Sequence, residues 1–192
     1  MVKIERKRGA RHIHHCGASL LNDKFVLTAA HCLENVDTST LYLLLGVDDI
    51  SIEPSDQFYR KERKIVRSFI HPDYDTNHVY YDIALIEMDQ AVEFDAGVHP
   101  ICLPEEATRD VDKRRNDLAT LTGWGTSSRS DEEASSKLRV TQLSIFSQSY
   151  CNQSYNTDGF IGDRIRNNLP KLFQSSIFCA GYEVGFMVVK AG

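Results

Sequence analysis

No run in the 192-residue sequence approaches the roughly 18 consecutive apolar residues that a membrane-spanning helix needs, so no such span is written into it. Internal repeats and low-complexity tracts are also missing, which argues against a solenoid or a tail of biased composition. Positive charge is in deficit. The 22 Lys and Arg residues face 27 Asp and Glu, a net charge of −5, so neither nucleic acid nor an anionic membrane is expected as the main partner. The local exception is Lys3, Arg6, Lys7, Arg8 and Arg11 around Gly9, which read as a solvated hairpin tip. Tryptophan occurs once, at Trp124, and is expected to pack rather than to serve as a ligand platform. The chain opens without the apolar core of a signal peptide, since Met1-Val2-Lys3-Ile4-Glu5-Arg6 alternates like a strand. No serine follows Ser176.

What is present is the composition of a globular protein, 42% apolar, long enough for one large all-β domain or two small ones. Its organising stretch is 16–32. There Leu20-Leu21 and Phe25-Val26-Leu27 flank the turn-forming pair Asn22-Asp23 and predict a tight hairpin. Thr28 is expected to cap a helical turn begun by Ala29-Ala30, which would present His31 just beyond a strand end. Residues 2–5 and 12–21 read as strands joined by Lys7-Arg8-Gly9-Ala10, and 41–45 and 64–70 as further strands. Tyr81-Asp82 leads into the apolar run Ile83-Ala84-Leu85-Ile86, which places a carboxylate at the mouth of a core strand. Burying Asp82 there is costly unless an imidazole NH or backbone amides receive it. Residues 105–116 are mixed charge with little to bury and read as a surface connection. A strand is expected from near Ala119 and another over 138–145, with a short helix over 147–155.

Thr28-Ala29-Ala30-His31-Cys32 resembles the histidine motif of the trypsin-like, chymotrypsin-fold serine proteases. Asp82-Ile83-Ala84-Leu85, Thr122-Gly123-Trp124-Gly125 and Phe178-Cys179-Ala180-Gly181-Tyr182 follow in that family's order. The resemblance implies an all-β, chymotrypsin-like double six-stranded β-barrel whose second barrel is incomplete. Residues 1–103 would form the first barrel, 104–118 the connection and 119–192 the partial second barrel. It also implies a serine endopeptidase acting on protein or peptide substrates without a cofactor. His31 matches the general base and Asp82 the carboxylate that orients the imidazole and stabilises its charged form. The family's Gly-Asp-Ser-Gly-Gly-Pro segment, which carries the nucleophile, is absent, as is its Ile-Val-Gly-Gly-like activation segment. Ser175 and Ser176 precede the Cys179 motif and stand on the wrong side of it for the nucleophile. The chain as given is therefore expected to be catalytically incomplete, with non-homologous residues after Glu183.

Five cysteines are an odd number. The family's pattern implies that Cys16 pairs with Cys32 and Cys151 with Cys179, leaving Cys102 at a position that joins related two-chain proteases to a propeptide or light chain. Such pairing implies an extracellular, oxidising compartment. With no signal peptide at its start, Met1 is expected not to be the natural beginning of the mature protein. Asn152-Gln153-Ser154 is a glycosylation sequon and makes Asn152 a candidate acceptor.

Two metal readings are weighed and set aside. His12, His14, His15 and His31 resemble a zinc cluster, but strand alternation puts His12 and His14 on one face and His15 on the other. Residues 46–56 resemble the family's calcium loop, yet Val47 stands where calcium-binding members carry a glutamate. The competing functional reading is a non-catalytic protease homologue, a binding or decoy module. Such a module is expected to keep a complete second barrel, so the missing final strands favour a partial protease domain.

Overall fold

The computed structural model describes residues 1–9, 11–52, 54–77, 80–105, 114, 116–126, 135–151 and 179–181. Six strands, β1 (Val2–Arg8), β2 (Arg11–Leu20), β3 (Phe25–Thr28), β4 (Leu41–Leu45), β5 (Lys61–Ile70) and β6 (Ala84–Met88), close a barrel in the order β1-β2-β3-β6-β5-β4. Every neighbouring pair is antiparallel. Alternation fills the interior: Val2 and Ile4, Leu41, Leu43 and Leu45, and Ala84, Ile86 and Met88 all enter one apolar cluster with Ala18, Leu20 and Val26. Each such Leu or Ile contributes about 1.5–3 kcal/mol by leaving water.

The basic residues expected in the first turn belong instead to the strands. Arg8 pairs with Arg11, so the loop is two residues long, and Gly9 adopts φ +63° as that tight connection requires. Asn22 closes the β2–β3 hairpin by accepting the backbone N–H groups of Lys24 and Phe25 at 2.9 and 2.8 Å. The fifth strand begins at Lys61, three residues ahead of the expected start. Gly46 ends β4 at φ +68°, where a Cβ would lie 2.1 Å from the Tyr59 carbonyl oxygen, so no other residue fits without backbone movement.

One register irregularity changes the reading of β2. Ile4 pairs with Cys16 but Glu5 with His14, so His15 is an extra residue, a β-bulge. The bulge reverses the side-chain parity. Cys16, Ala18 and Leu20 share the face of Ile4 and Val2, whereas His12 and His14 join Lys3 and Glu5 on the outer surface.

A second sheet, β7 (Leu118–Gly123), β8 (Arg139–Ile145) and β9 (Ala180–Gly181), runs in the order β7-β8-β9 and is antiparallel. The architecture is thus all-β, a closed six-stranded barrel with a partial second sheet. The two join through the loop after β4: Asp48 O accepts Leu138 N at 2.6 Å and Trp124 Nε1 at 3.3 Å, and Ile50 N donates to Ser136 O at 2.8 Å. Trp124, 2% exposed, is part of that junction. Residues 148–151 form a helical turn; the rest of the expected 147–155 helix lies outside the described residues. So do most of the expected 104–118 connection, Asn152, Ser175, Ser176 and the residues after Glu183.

Candidate active site

Register explains why residues 51 apart in sequence meet. Strands β3 and β6 are antiparallel neighbours with Thr28 opposite Ala84, so the chain leaving β3 and the chain entering β6 emerge side by side. Three residues beyond Thr28 stands His31, and two before Ala84 stands Asp82. A single 3₁₀ turn over Ala30–Cys32 carries the histidine. Its cap is Ala29, without a side-chain bond, and not Thr28 as expected. Thr28 is still in extended backbone at the end of β3 and its hydroxyl donates to Gly17 O at 2.9 Å, tying β3 to β2 instead.

The aspartate approaches by a sharper route. Tyr81 has φ +51°, left-handed backbone that a bulky residue rarely adopts, and Ile83 N closes back on Tyr81 O at 2.7 Å. This reversal turns the Asp82 side chain toward His31 before the strand begins. Both carboxylate oxygens are then used by one residue: Oδ1 accepts His31 N at 2.9 Å and Oδ2 lies 2.7 Å from Nδ1. Asp82 is 9% exposed while the imidazole side chain is 57% exposed. An ionised Asp82 has only acceptors, so Nδ1 carries the proton and Nε2 keeps its lone pair. Nε2 lies 3.6 Å from Cys32 Sγ, a disulfide sulfur with no proton to give. The arrangement is chemically able to take a proton at Nε2 and to stabilise the resulting imidazolium through a buried carboxylate.

The Cys16–Cys32 bridge, with Cα atoms 6.2 Å apart, fastens the histidine turn to β2. In the chain-entropy model a loop of that size contributes about 3 kcal/mol. The bulged His15 adds a second tie, its Nε2 2.7 Å from Cys32 O. A Cys151–Cys179 bridge joins the helical turn to the start of β9, and Cys102 is an exposed free thiol. A further set of residues that sequence reasoning missed adjoins the pair: Glu34, directly after the histidine turn, accepts from Tyr74 and Thr76 at 3.2 and 2.5 Å. His71-Pro72-Asp73-Tyr74-Asp75 signals a turn, but nothing local links Tyr74 to a glutamate 40 positions away.

Donor chemistry does not support the metal readings among the described residues. The four histidines have separate neighbours: Glu5 for His12, Trp124 for His14, Cys32 O for His15 and Asp82 for His31. Cys16, His31 and Cys32 bring their ligand atoms within 4.8 Å, but the bridge consumes both thiolates. In the 46–56 loop Val47 is buried, 6% exposed, and offers no side-chain oxygen. Asp49 spends Oδ1 on the backbone and hydroxyl of Ser51 and faces Lys137. Val47 and Asp49 as placed do not supply the side-chain oxygens that a calcium ion needs. His12 and His14 instead line an outer cavity of about 710 Å³ with Lys3, Glu5, Gln57 and Arg60.

Comparison with known proteins extends this picture over nearly the whole chain. The family model described as Trypsin matches residues 1–188, five residues past Glu183, where non-homologous sequence is expected. Clotting factor C of Tachypleus tridentatus is 32% identical over 179 residues, 88% of this chain and 16% of the relative. Serine proteinase stubble of Drosophila melanogaster is 31% identical over 177 residues, covering 92% of this chain and 21% of the relative. Trypsin-1 of Salmo salar is 31% identical over 173 residues, covering 90% of this chain and 60% of the relative. The chain thus spans less than two thirds of the length of each of these relatives.

Proposed function

The chain belongs to the trypsin family, and from that membership we propose that it supplies the base and orienting acid of a serine endopeptidase centre, with His31 and Asp82 in those roles. The observation that carries the reading is the two-point contact of a buried carboxylate with the backbone and Nδ1 of one exposed histidine. A merely structural ion pair has no need to leave the imidazole more than half exposed. Family membership also supports protein or peptide as the substrate class, an extracellular location, and the division into 1–103, 104–118 and 119–192. The exposed Cys102 is suited to a covalent bridge to a propeptide or light chain.

The same proposal holds that the 192-residue chain does not hydrolyse peptides by itself. Its last serine is Ser176, ahead of the Cys179 motif after which the family's nucleophile follows. Members of such a triad act as a unit, so lacking the serine removes on the order of a millionfold in rate. The test is to treat the oxidised chain with a fluorophosphonate probe and a mixed peptide library beside His31→Ala. No labelling and no cleavage are expected. Labelling that disappears in His31→Ala would show that a serine within the chain is activated by His31 and would overturn this part of the reading.

A further inference from the structure

Glu34 joins the turn that follows β3 to the loop that precedes β6, beyond the last paired residues of those two strands, Thr28 and Ala84. Its N–H donates to Ala30 O at 3.1 Å, so it belongs to the turn that presents His31. Its carboxylate reaches across to the loop between β5 and β6: Oε2 accepts the Tyr74 hydroxyl at 3.2 Å and Oε1 the Thr76 hydroxyl at 2.5 Å. That loop ends in Asp82 and is internally braced. Tyr74 N donates to His71 O at 3.0 Å, His71 N to Ile83 O at 3.1 Å, and Asp75 bridges Tyr80. The His71 and Tyr81 rings stack 4.8 Å apart at 9°. A continuous set of hydrogen bonds therefore runs from Glu34 through Tyr74 and His71 to Ile83, and the ring stack carries it from His71 to Tyr81 on the other side of Asp82.

We propose that Glu34 is a positioning residue for the His31–Asp82 pair, its carboxylate clamping Tyr74 and Thr76 so that the turn bearing His31 and the loop bearing Asp82 keep a fixed separation. The inference rests on the reading of that pair as the catalytic base and its orienting acid. Geometry favours a clamp over a casual surface contact, because each carboxylate oxygen takes a different hydroxyl and two anchor points resist rotation. The Tyr74 ring packs against the barrel core, so its hydroxyl is a fixed post rather than a wandering donor. It also remains a donor at every pH at which an imidazole works. Burial first, then the charge and hydrogen bond of Glu34, then Asp82 and Asp75, push its ionisation up to about 12.

A clamp of this kind acts on the hydrogen bond between His31 Nδ1 and Asp82, which proton NMR reads directly as a far-downfield imidazole resonance. In the oxidised full chain, the resonance that His31→Ala abolishes is assigned, and its exchange with water is measured in Glu34→Ala, Glu34→Gln, Tyr74→Phe and Thr76→Val. Losing the clamp is expected to speed exchange about fivefold in Glu34→Ala and Tyr74→Phe, as expected for loss of an ordinary hydrogen bond. Thr76→Val is expected to give a smaller increase. Glu34→Gln keeps an acceptor for the Tyr74 hydroxyl and is expected to recover most of the wild-type rate. A lowered melting temperature with unchanged exchange would make Glu34 a loop fastener only and overturn the proposal. Should Glu34→Ala fail to fold, Tyr74→Phe and Thr76→Val decide, each losing little beyond its hydrogen-bonding group. Absence of the resonance from the unsubstituted chain would instead count against the catalytic pair itself and remove the clamp with it. A resonance that is present but insensitive sinks the clamp alone.

Discussion

Two buried carboxylates in this barrel each meet a histidine Nδ1, and they are prepared for different work. Glu5 on the outer face lies 3.2 Å from His12, but its other oxygen holds Lys3 Nζ at 2.5 Å. Asp82 lies 2.7 Å from His31, and among the described residues that imidazole is its only ion-pair partner. Lys3 and Glu5 are 3% and 7% exposed, so the glutamate meets a lysine out of water. Among the described residues the aspartate has a backbone amide and an imidazole as its side-chain partners, so its charge is left to stabilise the ring when that is charged. A single lysine separates a structural pair from one able to support base catalysis.

Removing that lysine is the most severe way to break the comparison. Lys3→Met leaves Glu5 buried with a half-exposed histidine as its remaining partner, and a broken buried pair is expected to cost about 3–5 kcal/mol in urea denaturation. The double variant Lys3→Met/Glu5→Leu is expected to recover most of that loss, because the cost lies in the orphaned charge rather than in the missing attraction. A cost below about 1 kcal/mol for Lys3→Met would mean that water reaches Glu5 and that the two carboxylates are not differently compensated.

A smaller effect follows from His14, which shares the outer cavity with that pair. Burial first and then Lys3 hold its ionisation below the ordinary 6.5, with Glu5 opposing and His15 adding to the lysine. The unfolded chain takes up a proton near 6.5 while the folded chain resists until lower pH, so folding stability falls as pH drops below about 6.5 and levels off once folded His14 titrates. His14→Gln is expected to flatten this part of the stability profile below about pH 6.5, measured by denaturation at matched ionic strength. A slope unchanged in His14→Gln would assign the acid sensitivity to other groups.

How much of this was legible in the sequence depends on range. Leu41-Tyr42-Leu43-Leu44-Leu45 declared its strand by composition and alternation, and the structure forms β4 over those residues. Asn22 declared its turn by local chemistry, since its side chain bonds only two and three residues ahead. The His15 bulge was not legible. Period-2 alternation continues smoothly through an inserted residue, and only pairing with β1 reveals the parity change. Thr28 misled because a good capping residue adjoined a helical turn, while the hydroxyl found a carbonyl on the neighbouring strand. The His31–Asp82 meeting came from motif resemblance alone, since what joins them is the Thr28–Ala84 register. For Glu34 and Tyr74 no motif served, and the contact became visible only with the fold.

The smallest expected effect concerns the backbone that delivers each carboxylate. Glu5 sits within β1, opposite the His15 bulge but without left-handed backbone, whereas Asp82 follows Tyr81 at φ +51°. Left-handed backbone costs a bulky L-residue roughly 1–2 kcal/mol, and asparagine tolerates it better because its short polar side chain bonds locally. Tyr81→Asn should therefore stabilise the chain, but it also removes the ring stacked on His71, a contact worth about 0.5–1.5 kcal/mol. The two nearly cancel. They separate in a double-mutant cycle, because His71→Ala deletes the stack beforehand and leaves only the backbone term. In that background Tyr81→Asn is expected to stabilise by about 1 kcal/mol, and with His71 intact by less than about 0.5 kcal/mol. Destabilisation in both backgrounds would mean that Tyr81 is not strained. The sharp turn into Asp82 would then be as relaxed as the strand that carries Glu5, and the two carboxylates would differ only in their charged neighbours.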